Sequence, residues 1–140
     1  MMRTLVIALI LGTSLIAAAK EKTMAELKEE IAKADDKKQA ELYAKLAAMQ
    51  VEAANDVYNT NVEQARSMVE QATDSAERAA SASLEAGKRE KKTEIDLRKL
   101  ENRMEDVIRT WAFEDRSRVK ACIDRIETAR SKLLDRMFKK

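Results

Sequence analysis

The sequence has no proline, no histidine, one cysteine and only two glycines among its 140 residues. Each shortage removes a class of structure or chemistry. Strands and tight hairpins call for frequent turn residues, and Gly12 and Gly87 are too few to supply them. The lack of histidine eliminates Ser-His and Cys-His nucleophilic pairs, most zinc sites and the Glu-x-x-His motif of di-iron bundles. With Cys122 as the sole thiol there is no intramolecular disulfide and no haem-attachment pair. Aromatic residues are 4% of the chain, so a core would be alanine and aliphatic. Neither an EF-hand spacing nor a phosphate loop occurs. No catalytic residue, metal ligand or cofactor-binding residue is assigned, and no enzymatic activity is expected.

What is present is charge and helix-forming composition. Charged residues are 37% and hydrophobic ones 45%, rich in Ala, Glu, Lys, Leu and Arg, as in long helices and coiled coils. The net charge of +2 hides an asymmetry. Residues 20–85 hold 9 Lys/Arg and 14 Asp/Glu, and residues 86–140 hold 17 and 11. The halves are electrically complementary, which suits packing of one against the other; a basic surface for an anionic partner is the alternative. The basic half lacks the interleaved aromatics of a nucleic-acid face, so no nucleic acid is expected.

Residues 1–19 read as a secretory signal peptide. Arg3 gives the positive start, Leu5 to Ile16 the apolar stretch, and Ala17-Ala18-Ala19 the small-residue cleavage site before Lys20. The apolar run is shorter than the roughly 20 residues of a spanning helix. The short, simple form resembles bacterial signals and points to a periplasmic or secreted product. Membrane contact would then arise only through an uncleaved signal or weak electrostatic attraction.

Apolar spacing predicts helices over most of the remainder. Residues 20–36 form a charged lead-in or short helix, with Met24, Leu27, Ile31 and Ala34 in phase, and Asp35 or Asp36 caps the next helix. The helical domain proper is 37–140. Its first helix, 37–58, has a broad apolar face containing Leu42, Leu46, Ala47, Val51 and Ala54. Turns are expected near 59–61, 87–89 and 113–117. Thr60 or Asn61 caps the second helix, with Gln64 three residues after Asn61, and along it Val62, Ala65, Val69, Ala72, Ala76, Ala79 and Ser83 form a seam of mostly small side chains. Gly87 ends it. A third helix over 90–112 carries Leu97, Leu100, Met104, Val107, Ile108 and Trp111; a fourth carries Val119, Cys122, Ile123, Ile126, Ala129, Leu133, Leu134, Met137 and Phe138. The expected fold is all-α, an antiparallel bundle of about four helices. Because the stripe keeps phase through the first and last turns, with only Asp115 interrupting the last, a long two-helix antiparallel coiled-coil hairpin is the alternative.

Residues 37–86 resemble a tetratricopeptide-type helical hairpin: two helices of about twenty residues and a short polar turn, then Asn61-Val62-Glu63-Gln64-Ala65. Ala53, Ala65 and Ala72 fall on that family's small positions. Its large anchors would fall on Met49, Glu52, Asp56 and Glu77, and its turn glycine on Thr60, where this sequence departs from the pattern. The resemblance implies packing against partner proteins.

Four groups remain as candidates. Cys122 lies on an apolar stripe, as a buried structural thiol would; a disulfide-linked homodimer is its other reading. Lys88, Arg89, Lys91 and Lys92 make the densest basic stretch, suited to helix capping or to contact with an anionic partner. Trp111 and Phe113 flank the last turn and either close the core or form an exposed contact site. The acidic clusters Glu29/Glu30, Asp35/Asp36, Glu101/Glu105/Asp106 and Glu114/Asp115 are interleaved with bases and expected on solvent faces. The expected role is an exported protein-interaction or scaffold protein whose partner is an unknown protein or itself. Alternatives are an envelope-surface protein that binds anionic lipid or polymer, and a homo-oligomeric coiled-coil spacer.

Overall fold

The computed structural model describes residues 22–139, all-helical among those residues, with five helices packed against one another. They are α1 (Met24–Lys33), α2 (Asp36–Val57), α3 (Val62–Ala86), α4 (Glu90–Ile108) and α5 (Phe113–Phe138). The expected signal, with Ala17, Ala19 and Lys20, lies outside the described residues.

Local chemistry sets the boundaries. Thr23, Asp35 and Asn61 each sit in extended backbone and accept a hydrogen bond from the amide three residues on, at 3.1, 2.9 and 3.1 Å. The lead-in is thus a capped ten-residue helix, with Leu27 and Ile31 buried against Leu42 and Leu46 of α2. Gly87 ends α3 at φ 63°, and the Lys88 amide reaches back to the Ser83 carbonyl. This is the left-handed helix stop that favours glycine. A Cβ added at Gly87 would meet only the Arg136 guanidinium at 4.0 Å, so backbone conformation rather than crowding selects the residue.

The last turn falls earlier than the polar run suggests, at 109–112 instead of 113–117. Residues 113–117 are the first turn of α5, where Glu114 and Asp115 sit favourably at a helix N-terminus. The Arg116 side chain donates to the carbonyls of Trp111 (3.1 Å) and Arg109 (3.3 Å), satisfying groups left open where α4 stops. Breaks at 58–61 and 109–112 also rule out the long two-helix hairpin: the in-phase stripe continues across space, from one packed helix to the next.

Helices α2 and α3 form one antiparallel hairpin and α4 and α5 another. The hairpins lie side by side with like helices parallel. Glu41 and Glu52 of α2 face Arg89 at the start of α4 and Arg103 farther along it. Arg66, Glu70 and Glu77 of α3 face Asp115, Arg118 and Arg125 of α5 in the same order. This stacking is compatible with a helical repeat-like architecture.

Helix α3 is buried on two sides. Its seam from Ala65 to Ser83 is almost wholly inaccessible, and Thr73, Ser75, Ala80 and Ala82 are buried as well. Of the expected seam positions only Val62, in the first turn, stands out in solvent. Small side chains let α2 and α5 approach α3 closely, where each buried methylene-sized group contributes about 0.8 kcal/mol. The broad face of α2 divides between Leu42 and Leu46 toward α1 and Ala47, Val51 and Ala54 toward the main core.

Candidate interaction surfaces

Two turns meet at one end of the bundle. Tyr58, closing α2, stacks on Trp111 with ring centroids 4.2 Å apart and planes 7° from parallel. Its hydroxyl donates to Asp115 at 2.6 Å and accepts from the Ala112 amide at 2.8 Å. The other oxygen of Asp115 accepts from Arg66 Nε at 2.8 Å and from the same guanidinium's Nη2. Asp115 is 3% exposed. The Tyr58 hydroxyl and then Arg66 hold its carboxyl below the usual range. Burial, reinforced by Asp115, pushes the Tyr58 phenol up, so it remains a donor.

This network corrects the expectation that Glu114/Asp115 is a solvated pair. Glu114 is exposed, whereas Asp115 ties both turns together. The candidate aromatics separate too. Trp111, 2% exposed, closes the core, while Phe113, 83% exposed, faces solvent. Cys122 is buried against the α3–α5 seam, and burial pushes its thiol up, away from the thiolate.

A second polar cluster lies between α4 and α5. Arg130 donates to Glu94 at 2.9 Å and to Glu101 at 2.7 Å, and Arg98 reaches the other Glu94 oxygen at 3.3 Å. Glu94 is 5% exposed. One oxygen of Glu101 is buried without a partner, and burial pushes its carboxyl up despite Arg130. Glu101 therefore departs from the expected solvent face; Glu105 and Asp106 are exposed as expected.

The grooves flank α2. Between α2 and α4 runs a groove of about 430 Å³ floored by Ala44, Ala48 and Leu100, its walls bearing Lys45, Lys99 and the Glu52–Arg103 pair. Between α1 and α2 a wider one of about 900 Å³ includes Met24, Leu42, Met49 and Ala53. Lys45, Ala48 and Glu52 border both. At the far end of the bundle Lys88, Lys91 and Lys92 are exposed and Arg89 is half-buried, 3.8 Å from Glu41. Phe138, expected on the apolar face of the last helix, is 82% exposed here.

The sequence reading missed the Tyr58–Asp115–Arg66 network, the Glu94–Arg130 pair and the exposure of Phe138. A signal existed for two of these: Asp115 and Glu94 keep the helical phase of apolar stripes, where a charged residue is either an interruption or a buried partner. Among the described residues no three His, Cys, Asp or Glu side chains gather as a metal site would need. No described helix is long and apolar enough to cross a membrane. Compared with protein-family models, curated proteins and solved structures, the chain matches none.

Proposed function

We propose that this chain is an exported helical scaffold that binds another protein along α2. The observation that carries the reading is the pair of grooves on either side of that helix, joined over Lys45, Ala48 and Glu52. Small side chains leave room for a partner helix, and charged rims set which partner is accepted. Export rests on residues 1–19, whose charged start, apolar run and Ala17-Ala18-Ala19 site fit a secretory signal.

The first hairpin is tetratricopeptide-like in this reading. The matched small residues Ala65 and Ala72 are fully buried and Ala53 half-buried, which supports it. Its helices of 22 and 25 residues exceed what a repeat of about 34 residues holds, so the likeness is to the stacking of hairpins rather than to their length.

Site-specific photocrosslinking tests the assignment. A crosslinker at Ala48 is expected to capture one defined protein at physiological salt, and one at Lys120, on the exposed side of α5, is expected to capture none. Equal capture at both positions, or none at Ala48, would overturn the reading.

A further inference from the structure

We infer that the end of the bundle carrying Lys88, Lys91, Arg136 and Phe138 docks on an anionic lipid bilayer. The alternating helix directions gather the starts of α2 and α4 and the ends of α3 and α5 there. Segments 33–39, 84–92 and 134–139 hold nine Lys/Arg against five Asp/Glu. At the opposite end, segments 54–66 and 104–116 hold three against six. Folding thus converts an asymmetry between halves of the sequence into one between the two ends of the molecule.

Three further observations select a membrane surface. Lys88, Lys91, Arg136 and Lys139 are exposed, and none is ion-paired among the described residues, so their charge is available. The Arg136 guanidinium comes within 4.0 Å of the Gly87 Cβ position, which brings a base from the end of α5 beside the lysine-bearing tip loop. Phe138 stands out 82% exposed at this end, between Arg136 and Lys139 in the chain.

The grooves line the sides of α2, and none of them includes Lys88, Lys91, Arg136 or Phe138. An exposed aromatic at the same end as exposed, unpaired bases fits a soft anionic plane, into whose headgroup layer the aromatic enters while the bases meet lipid phosphates. A protein partner would instead need complementary apolar surface around that ring, and a nucleic acid would call for several stacking rings.

The test is vesicle sedimentation of the protein as recovered from expressing cells, its N-terminus read by mass spectrometry. Vesicles are phosphatidylcholine alone or with about 30% phosphatidylglycerol, from about 0.05 to 0.5 M salt. Binding is expected only to the anionic vesicles and to fall steeply with salt. Lys88→Glu with Lys91→Glu should weaken it by at least about tenfold, and Phe138→Ala by about five- to tenfold. Phe113→Ala, at the acidic end, should leave it unchanged.

All these positions are exposed, and unchanged Trp111 fluorescence and helical circular dichroism would verify the fold of each variant. Binding that is indifferent to salt and to Lys88, Lys91 and Phe138 would overturn the inference and implicate the apolar stretch before Lys20. Absence of binding to anionic vesicles would overturn it as well, as would salt-dependent binding that survives Phe138→Ala. The α2 crosslink is independent of these residues, so either idea fails without the other.

Discussion

At one end of the bundle two connections are bonded to each other; at the other end they are not. Tyr58, Trp111, Asp115 and Arg66 come from both turns and close on a shared set of hydrogen bonds behind a stacked aromatic pair. The opposite end relies on bonds within each connection, the Ser83 hydroxyl donating to the Lys88 carbonyl at 2.7 Å and the Gln39 side-chain amide to the Ile31 carbonyl at 2.9 Å, on the left-handed backbone of Gly87 and Arg89, and on the long approach of Arg89 to Glu41. A charge with a fixed partner stiffens a junction, whereas a charge without one is available to something outside the molecule. The closed end therefore belongs to the architecture and the basic end to contact, although each presents one exposed phenylalanine.

Removing Trp111 should break the closed end most severely. Trp111→Ala is expected to cost about 3–5 kcal/mol in denaturant unfolding, against less than about 0.5 for Phe113→Ala two residues on. Equal losses would erase the distinction between a core aromatic and a solvent one.

Asp115→Ala comes next, at about 2 kcal/mol, because it deprives Tyr58 and Arg66 of a common acceptor. The carboxyl is held below its ordinary value, so its contribution is complete above the unfolded pKa of about 3.9 and fades as pH falls through the folded one. Wild-type protein should lose stability below about pH 4 more steeply than Asp115→Asn.

Glu101 sharpens the contrast because its sign is opposite. Its folded carboxyl lies above the usual range, so the unfolded chain ionises first and stability declines as pH rises from about 4 toward the folded value. Glu101→Gln should remove that decline, and thermal melts across the acid range would reveal it.

The smallest effects belong to the tip. Gly87→Ala places a side chain at φ 63° and should cost about 1 kcal/mol, whereas Arg89→Gly, relieving the second left-handed residue, should change stability by less than that. A larger loss for Arg89→Gly would mean that its guanidinium holds the tip as firmly as Asp115 holds the other end.

What could be read in advance follows from which interactions are local. Asn61 and Gly87 act within one turn of chain, and each marks its boundary without reference to the rest of the fold. The small-residue seam of α3 was legible for the same reason, since periodicity alone places it on one face. Asp115 was not, because its partners lie 49 and 57 residues away and its neighbours Glu114 and Arg116 give it the look of a surface residue. Phe138 keeps the phase of the α5 stripe, but it is the last residue of that helix and lacks a neighbour to cover it. The short first helix depended on Thr23 and on two side chains, Leu27 and Ile31, that matter only once α2 offers Leu42 and Leu46.

Native-state hydrogen exchange across the two ends tests most directly the claim that one is bonded shut between its two turns and the other held by bonds local to each connection and one long ion pair. Hydrogen-bonded amides at 65–69 and 104–108, beside the Tyr58–Asp115–Arg66 network, are expected to exchange only through global unfolding, while those at 83–88 and 93–97 open locally and sooner. Asp115→Asn should collapse the difference. Equal protection at the two ends of the wild-type protein, or earlier opening at the network, would contradict the account.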